Sequence, residues 1–337
     1  MMAYPWHKAR FESLLERKER LPHALLLRGT QGTGKLAFAE ALARALLCER
    51  PDAGGQACRR CAACGWMEQG SHPDFRRLEP EALAEPQEAE QGSAKKPSQE
   101  IKVEQVRSID DFINVTSHRG GAKIVLIHPA EALNINAANA LLKNLEEPPP
   151  RTTFLLVAHR WHQLLPTVKS RCQHVALPPP PAAMAQDWLK QQGLREPELA
   201  LAQAGGAPLL AVQFDEEYWR ERGQFLKAIA GSEFDALGVA ERMRHQEPAL
   251  FVGWLQKWSF DLACHKVTGA VRYNPDFAAT IASVAAGLDL LETLRFHRYM
   301  VRLQRSVSHP LNARLFLEQL LLTYSALLKR RFQQLAA

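Results

Sequence analysis

The 337-residue chain has no apolar run approaching the roughly 20 residues that a membrane-spanning helix needs. Its first stretch, "MMAYPWHKARFESLLERKER", lacks the apolar core and small-residue cleavage site of a signal peptide, so a cytoplasmic protein is expected. Cysteine is scarce and unevenly placed. Four of the six crowd into "CERPDAGGQACRRCAAC", while Cys172 and Cys264 stand alone. Excess charge is also modest: a net +6 permits an acidic partner such as nucleic acid without demanding one. From about residue 214 onward no strand signal is found, and the helical spacing of "NARLFLEQLLLTYSALLKRRF" predicts an all-α bundle.

The first 177 residues are richer in signals. "HALLLRG" (23–29), "KIVLIH" (123–128), "TTFLLVA" (152–158) and "QHVAL" (173–177) are apolar without alternation, as buried parallel strands are, and "RRLEP" offers a shorter fifth. Helical spacing over 6–19, 35–47, 102–117 and 134–146 alternates with them, which predicts an α/β domain with a largely parallel sheet. Residues 79–100 hold almost no large apolar side chains, so a mobile surface loop is expected there. "PPPP" at 178–181 marks a domain boundary, and a small helical unit follows, closing near "AGGAPLLA" (204–211). The expected division is 1–177, 178–213 and 214–337.

The cysteine cluster, Cys48-x9-Cys58-x2-Cys61-x2-Cys64, has the spacing of a structural zinc module spanning 48–64. Four thiolates close a tetrahedral shell, leaving no position for a catalytic water. A disulfide framework fits poorly in a large chain without a secretion signal.

"RGTQGTGKLAFAEALA" reads as strand, glycine loop and helix, with Gly29, Gly32, Gly34 and Lys35 as candidate phosphate-binding residues. Hydrolysis needs more. Magnesium is usually held by a hydroxyl after the lysine and by an acid ending a later strand, and here those positions carry Leu36 and the pair His128–Pro129. Glu131 lies beyond the strand end and would need a rearranged turn to reach the site. No ATP hydrolysis by this chain is expected, while nucleotide binding stays open.

"HALLLRGTQGTGK", the four-cysteine insertion, "MEQGSHPDF", "NALLKNLEEPPPRTTFLLVA" and "TVKSRCQHVAL", in that order, resemble the bacterial clamp-loader subunits of the AAA+ class. Within that class they are most similar to the delta-prime type of DNA polymerase III. The resemblance implies an AAA+ P-loop α/β domain with the zinc module, a small helical lid and a C-terminal all-α collar. It implies as partners motor subunits (gamma/tau), a delta subunit, a sliding clamp and primed DNA, within a polymerase holoenzyme that is a nucleotidyltransferase as a complex. The departures at Leu36, His128 and Pro129 favour the delta-prime type over a motor subunit. Pro208, where motor subunits carry a nucleotide-sensing arginine, favours it too. In the resemblance Arg171, within Ser170-Arg171-Cys172, is an arginine finger acting in trans on a neighbour's ATP. Cys172 is expected by its residue type to be a small buried residue packing the start of the next strand. Two other readings are an active AAA+ motor ATPase and a stand-alone zinc-containing nucleic-acid-binding protein.

Overall fold

The five apolar runs form the strands β1 (Ala24–Arg28), β2 (Phe75–Leu78), β3 (Lys123–Ile127), β4 (Thr152–Ala158) and β5 (Gln173–Ala176). The computed structural model describes residues 3–84, 97–115, 117, 121–231, 234–304 and 312–329, so the stretch expected to be a loop at 79–100 falls mostly outside them. All four pairings are parallel and the order is β2-β3-β4-β1-β5. Two compact units divide the chain, 1–181 and 182–337.

Burial on both faces of the sheet explains the unbroken apolar runs. Leu25, Leu27, Ile124, Leu126, Leu155 and Val157 point into one core with Phe11, Phe38 and Leu42. Their strand neighbours Leu26, Val125, Ile127, Phe154 and Leu156 point into the other, with Ile109, Leu141 and Leu145. The first face is covered by α1 (Lys8–Leu15) and α2 (Lys35–Leu47), the second by α4 (Val103–Asn114) and α5 (Ile135–Glu146). The helix expected over 6–19 is shorter than its sequence span. It is a 3-10 turn, Pro5–His7, then α1, because between Leu15 and Leu21 the chain offers no apolar side chain to bury. Two elements escape the periodicity by being too short for it: α3 (Ala62–Glu68) inside the cysteine segment and the single turn α6 (Pro166–Lys169).

In the second unit, α7 (Ala182–Gln191), α8 (Pro197–Gln203) and α9 (Pro208–Ala211) share a small core of Ala185, Leu189, Ala200, Leu201 and Ala211. The larger core is built by α10 (Glu216–Ile229), α11 (Ala236–Arg242), α12 (Pro248–Thr268), α13 (Ala278–Ala286), α14 (Leu290–Leu303) and α15 (Ala313–Leu328). Trp254 and Trp258, one turn apart on α12, both lie in it, and the Trp258 indole N–H donates to the Tyr324 hydroxyl at 2.8 Å. That bond satisfies two polar groups that burial would otherwise leave unpaired.

Candidate functional site

The glycine loop joins β1 to α2. Gly32 and Gly34 have φ of 76° and 89°, the left-handed region that a side chain penalises. Gly29 is held to glycine by crowding: a Cβ there would lie 2.2 Å from the Leu177 carbonyl oxygen. The lysine is not presented to solvent. Lys35 is 2% exposed, and its Nζ donates to the Thr30 carbonyl of its own loop. Burial pulls its pKa down to about 8, opposed by the Glu131 carboxylate.

The N-terminal segment packs on the same loop. Trp6 Nε1 and His7 Nε2 both donate to the Thr33 carbonyl, at 2.9 and 2.8 Å. The Tyr4 ring, stacked on Trp6 with centroids 4.9 Å apart, lies so close to Gly34 that an added Cβ would meet it at 2.3 Å. Leu36, in place of a magnesium-binding hydroxyl, packs against the core that contains Phe38 and Leu42.

Where the strand-end acid would stand, the structure has two histidines. His128 follows β3 and His159 follows β4, their Nε2 atoms 3.1 Å apart and their rings at 87°. Burial pulls both pKa values down to about 4. For His128 the partner ring, Arg77 and Lys35 add to it, and for His159 Lys35 and Arg160 do. Both rings are therefore neutral at pH 7. Glu131 does not fill the gap: its carboxylate accepts from the backbone N–H groups of His159 and Arg160, at 3.0 and 2.8 Å.

The four clustered cysteines converge at the other end of α2, about 20 Å along a helix of this length. Cys48 caps that helix, Cys58 lies in the following loop, and Cys61 and Cys64 open α3. The connecting loop is held by Asp52, whose carboxylate accepts from the backbone N–H groups of Gly54 and Gln56. All four Sγ atoms lie within 4.8 Å of one another, with Cys48 3.9 Å from Cys61 and 3.7 Å from Cys64, and no disulfide links them. A tetrahedron of about 2.3 Å bonds has edges of about 3.8 Å, so the donor set fits a four-coordinate metal ion. Chemistry agrees with geometry. Burial and the neighbouring cysteines push Cys64 up to about 12, so a cation is what would let all four thiols ionise together.

Arg171 sits between α6 and β5. Its Nη1 donates to the Thr167 carbonyl at 3.0 Å and the Ser170 hydroxyl at 3.4 Å, and its Nη2 forms an ion pair with Glu146 at the end of α5. Cys172 is buried beside it and pushed up to about 12 by that burial. β5 enters the sheet with Gln173 opposite Leu25, at the N-terminal end of β1, whereas the glycine loop leaves the C-terminal end. In a parallel sheet these are opposite ends of the strands. Arg171 and Lys35 are therefore not brought together.

A family model described as DNA polymerase III, delta subunit, matches residues 7–181, and one described as DNA polymerase III, delta subunit, C terminal, matches 216–325. DNA polymerase III subunit delta' of Pseudomonas aeruginosa is 40% identical over 273 residues, covering 79% of this chain and 78% of that protein. The chain belongs to the delta' family of DNA polymerase III subunits. Other delta' subunits align over more of it: that of Escherichia coli at 32% identity, covering 85% of this chain and 83% of its own, and that of Yersinia pestis at 34%, covering 86% of each.

Within this delta' chain, three features went unread in the sequence. His159 follows "TTFLLVA" as His128 follows "KIVLI", and that parallel was the available signal. The hold of Tyr4, Trp6 and His7 on the loop, and the Glu146–Arg171 pair, join segments far apart in the chain and leave no local pattern. Among the described residues, no helix is long and apolar enough to cross a membrane.

Proposed function

We propose that this chain is a cytoplasmic, non-hydrolysing clamp-loader subunit that works through Arg171 rather than through its own phosphate loop. It would assemble with motor (gamma/tau) and delta subunits to place a sliding clamp on primed DNA. Residues 1–177 would serve as the AAA+-type domain, 178–213 as the lid and 214–337 as the collar. The observation that carries the reading is the placement of Arg171 at the end of the strands opposite its own glycine loop. A guanidinium there cannot serve its own nucleotide, but it can serve one bound by a neighbour. Charge developing on a γ-phosphoryl group makes such a contact worth about 10³–10⁵ in rate when supplied in trans.

The local site supports the same reading. Two neutral histidines and Leu36 stand where magnesium would need a carboxylate and a hydroxyl, which argues against the motor-ATPase alternative. Lys35 is buried and donates to Thr30 of its own loop, so it is not presented to an incoming nucleotide phosphate. The cysteine cluster is read as structural zinc, its four protein ligands leaving no open position. It would tie the end of α2 to α3. A free-standing zinc protein that grips nucleic acid would show tight DNA binding with a steep salt slope by the chain alone.

The deciding experiment reconstitutes the loader with wild-type or Arg171→Ala chain. Assembly should be intact, and the DNA- and clamp-stimulated ATPase should fall by about tenfold or more. Unchanged stimulation would remove Arg171 from this role. Magnesium-dependent hydrolysis by the isolated chain, sensitive to Lys35→Ala, would restore the motor reading.

A further inference from the structure

We infer that Glu146 is the positioning residue for Arg171, holding its guanidinium in the presented orientation before any neighbour arrives. The inference rests on the reading of Arg171 as an arginine acting in trans. Val168 and Cys172, on either side of Arg171, are buried in the same core as Leu141 and Leu145 of α5. That packing fixes the backbone of the turn against the helix, and Arg171 N–H closes it by donating to the Val168 carbonyl at 3.2 Å. Glu146 directly follows Leu145, so the same contacts deliver its carboxylate to the guanidinium.

The donors then divide. A guanidinium has five N–H groups. The Nη1 pair goes to Thr167 and Ser170, and one Nη2 hydrogen faces Glu146. Two donors are left, the number a bidentate phosphate contact uses. The arginine side chain is 33% exposed and that of Glu146 49%, so the held group still meets solvent. A long side chain fixed in advance loses less freedom when it binds, which is how preorganisation acts on a transition state. Glu146 thus affects the rate through Arg171 and does not itself touch the phosphate.

Glu147, the exposed next residue, provides the control, because its removal changes charge by the same amount without touching the hold. In the free chain with 15N-labelled arginine, Glu146→Ala should raise the fast mobility of the Arg171 Nε, and Glu147→Ala should not. In the reconstituted loader, Glu146→Ala should lower the stimulated kcat about two- to fivefold, the range that an exposed ion pair supports, with the KM for ATP unchanged. Glu146→Gln, which keeps an acceptor of the same shape, should recover most of the loss, and Glu147→Ala should stay at the wild-type rate. If Arg171→Ala is impaired while Glu146→Ala keeps both wild-type rate and wild-type Nε order, the positioning role is overturned and the finger stands. If Arg171→Ala runs at the wild-type rate, the finger reading falls and takes this inference with it. Equal losses in Glu146→Ala and Glu147→Ala would also overturn it, reducing the effect to net charge.

Discussion

Lys35 and Arg171 are both cations of the kind that grip phosphate, carried at opposite ends of the strands of one parallel sheet. The molecule treats them in opposite ways. Lys35 is buried, bonded to its own loop and surrounded by the Tyr4–His7 segment and the histidine pair. Arg171 is partly exposed, braced by a carboxylate and a carbonyl, with donors left over. A complete G-x4-G-K motif therefore does not by itself present its lysine. What matters is whether the charge is presented, and here the fold buries the lysine and leaves the arginine partly exposed.

That contrast can be broken at several points. The largest effect is expected at the histidine pair. In the unfolded chain each ring takes a proton below about pH 6.5, whereas in the fold both stay neutral down to about 4. Between those values the unfolded state binds more protons, so stability should fall as pH drops from 6.5 to 4. The loss should be roughly 3 kcal/mol for the pair, after discounting for residual exposure. Urea midpoints at pH 7 and pH 5 would show it. A His128→Asn/His159→Asn double variant should flatten the dependence, and an equally steep one would place the acid sensitivity elsewhere.

Next comes Gly34→Ala, which combines a left-handed φ with a clash against Tyr4 and should cost about 1–3 kcal/mol in the same assay. No loss would mean that neither the left-handed φ nor the Tyr4 contact constrains this position. Lys35→Met should do the reverse and stabilise by about 1–2 kcal/mol at pH 7, because a charged amine no longer has to be buried. The gain should shrink between pH 8 and 10.5, where the wild-type fold releases that proton ahead of the unfolded chain. A gain that does not change with pH would tie it to packing rather than charge. Smallest of all, Arg171→Ala should move stability by no more than about 1 kcal/mol, as an exposed ion pair implies, although it should depress the ATPase of the assembled loader.

Much of this fold was legible because its signals are local. The strands at 24–28, 123–127, 152–158 and 173–176 are continuous apolar runs, and double-sided burial is the physical reason they look that way. The cysteine spacing announced a cluster that the fold does draw together. Leu36 and His128 stood out by residue type alone, and the fold packs the first on the core and pairs the second with His159. The rest was not legible because it depends on pairings across the chain. Trp6 and His7 meet Thr33, His128 meets His159, and Glu146 meets Arg171 only after the sheet has formed.

The sequence by itself determined the α/β alternation, the helical last third, the four-thiol set and the leucine that follows the loop lysine. These are properties of residue type and spacing. Tertiary structure alone decided that Lys35 is buried against its own loop and that Arg171 sits, partly exposed, at the opposite end of the strands. Burial and strand register are set by contacts between distant segments, and they determine whether a charge is available to a partner.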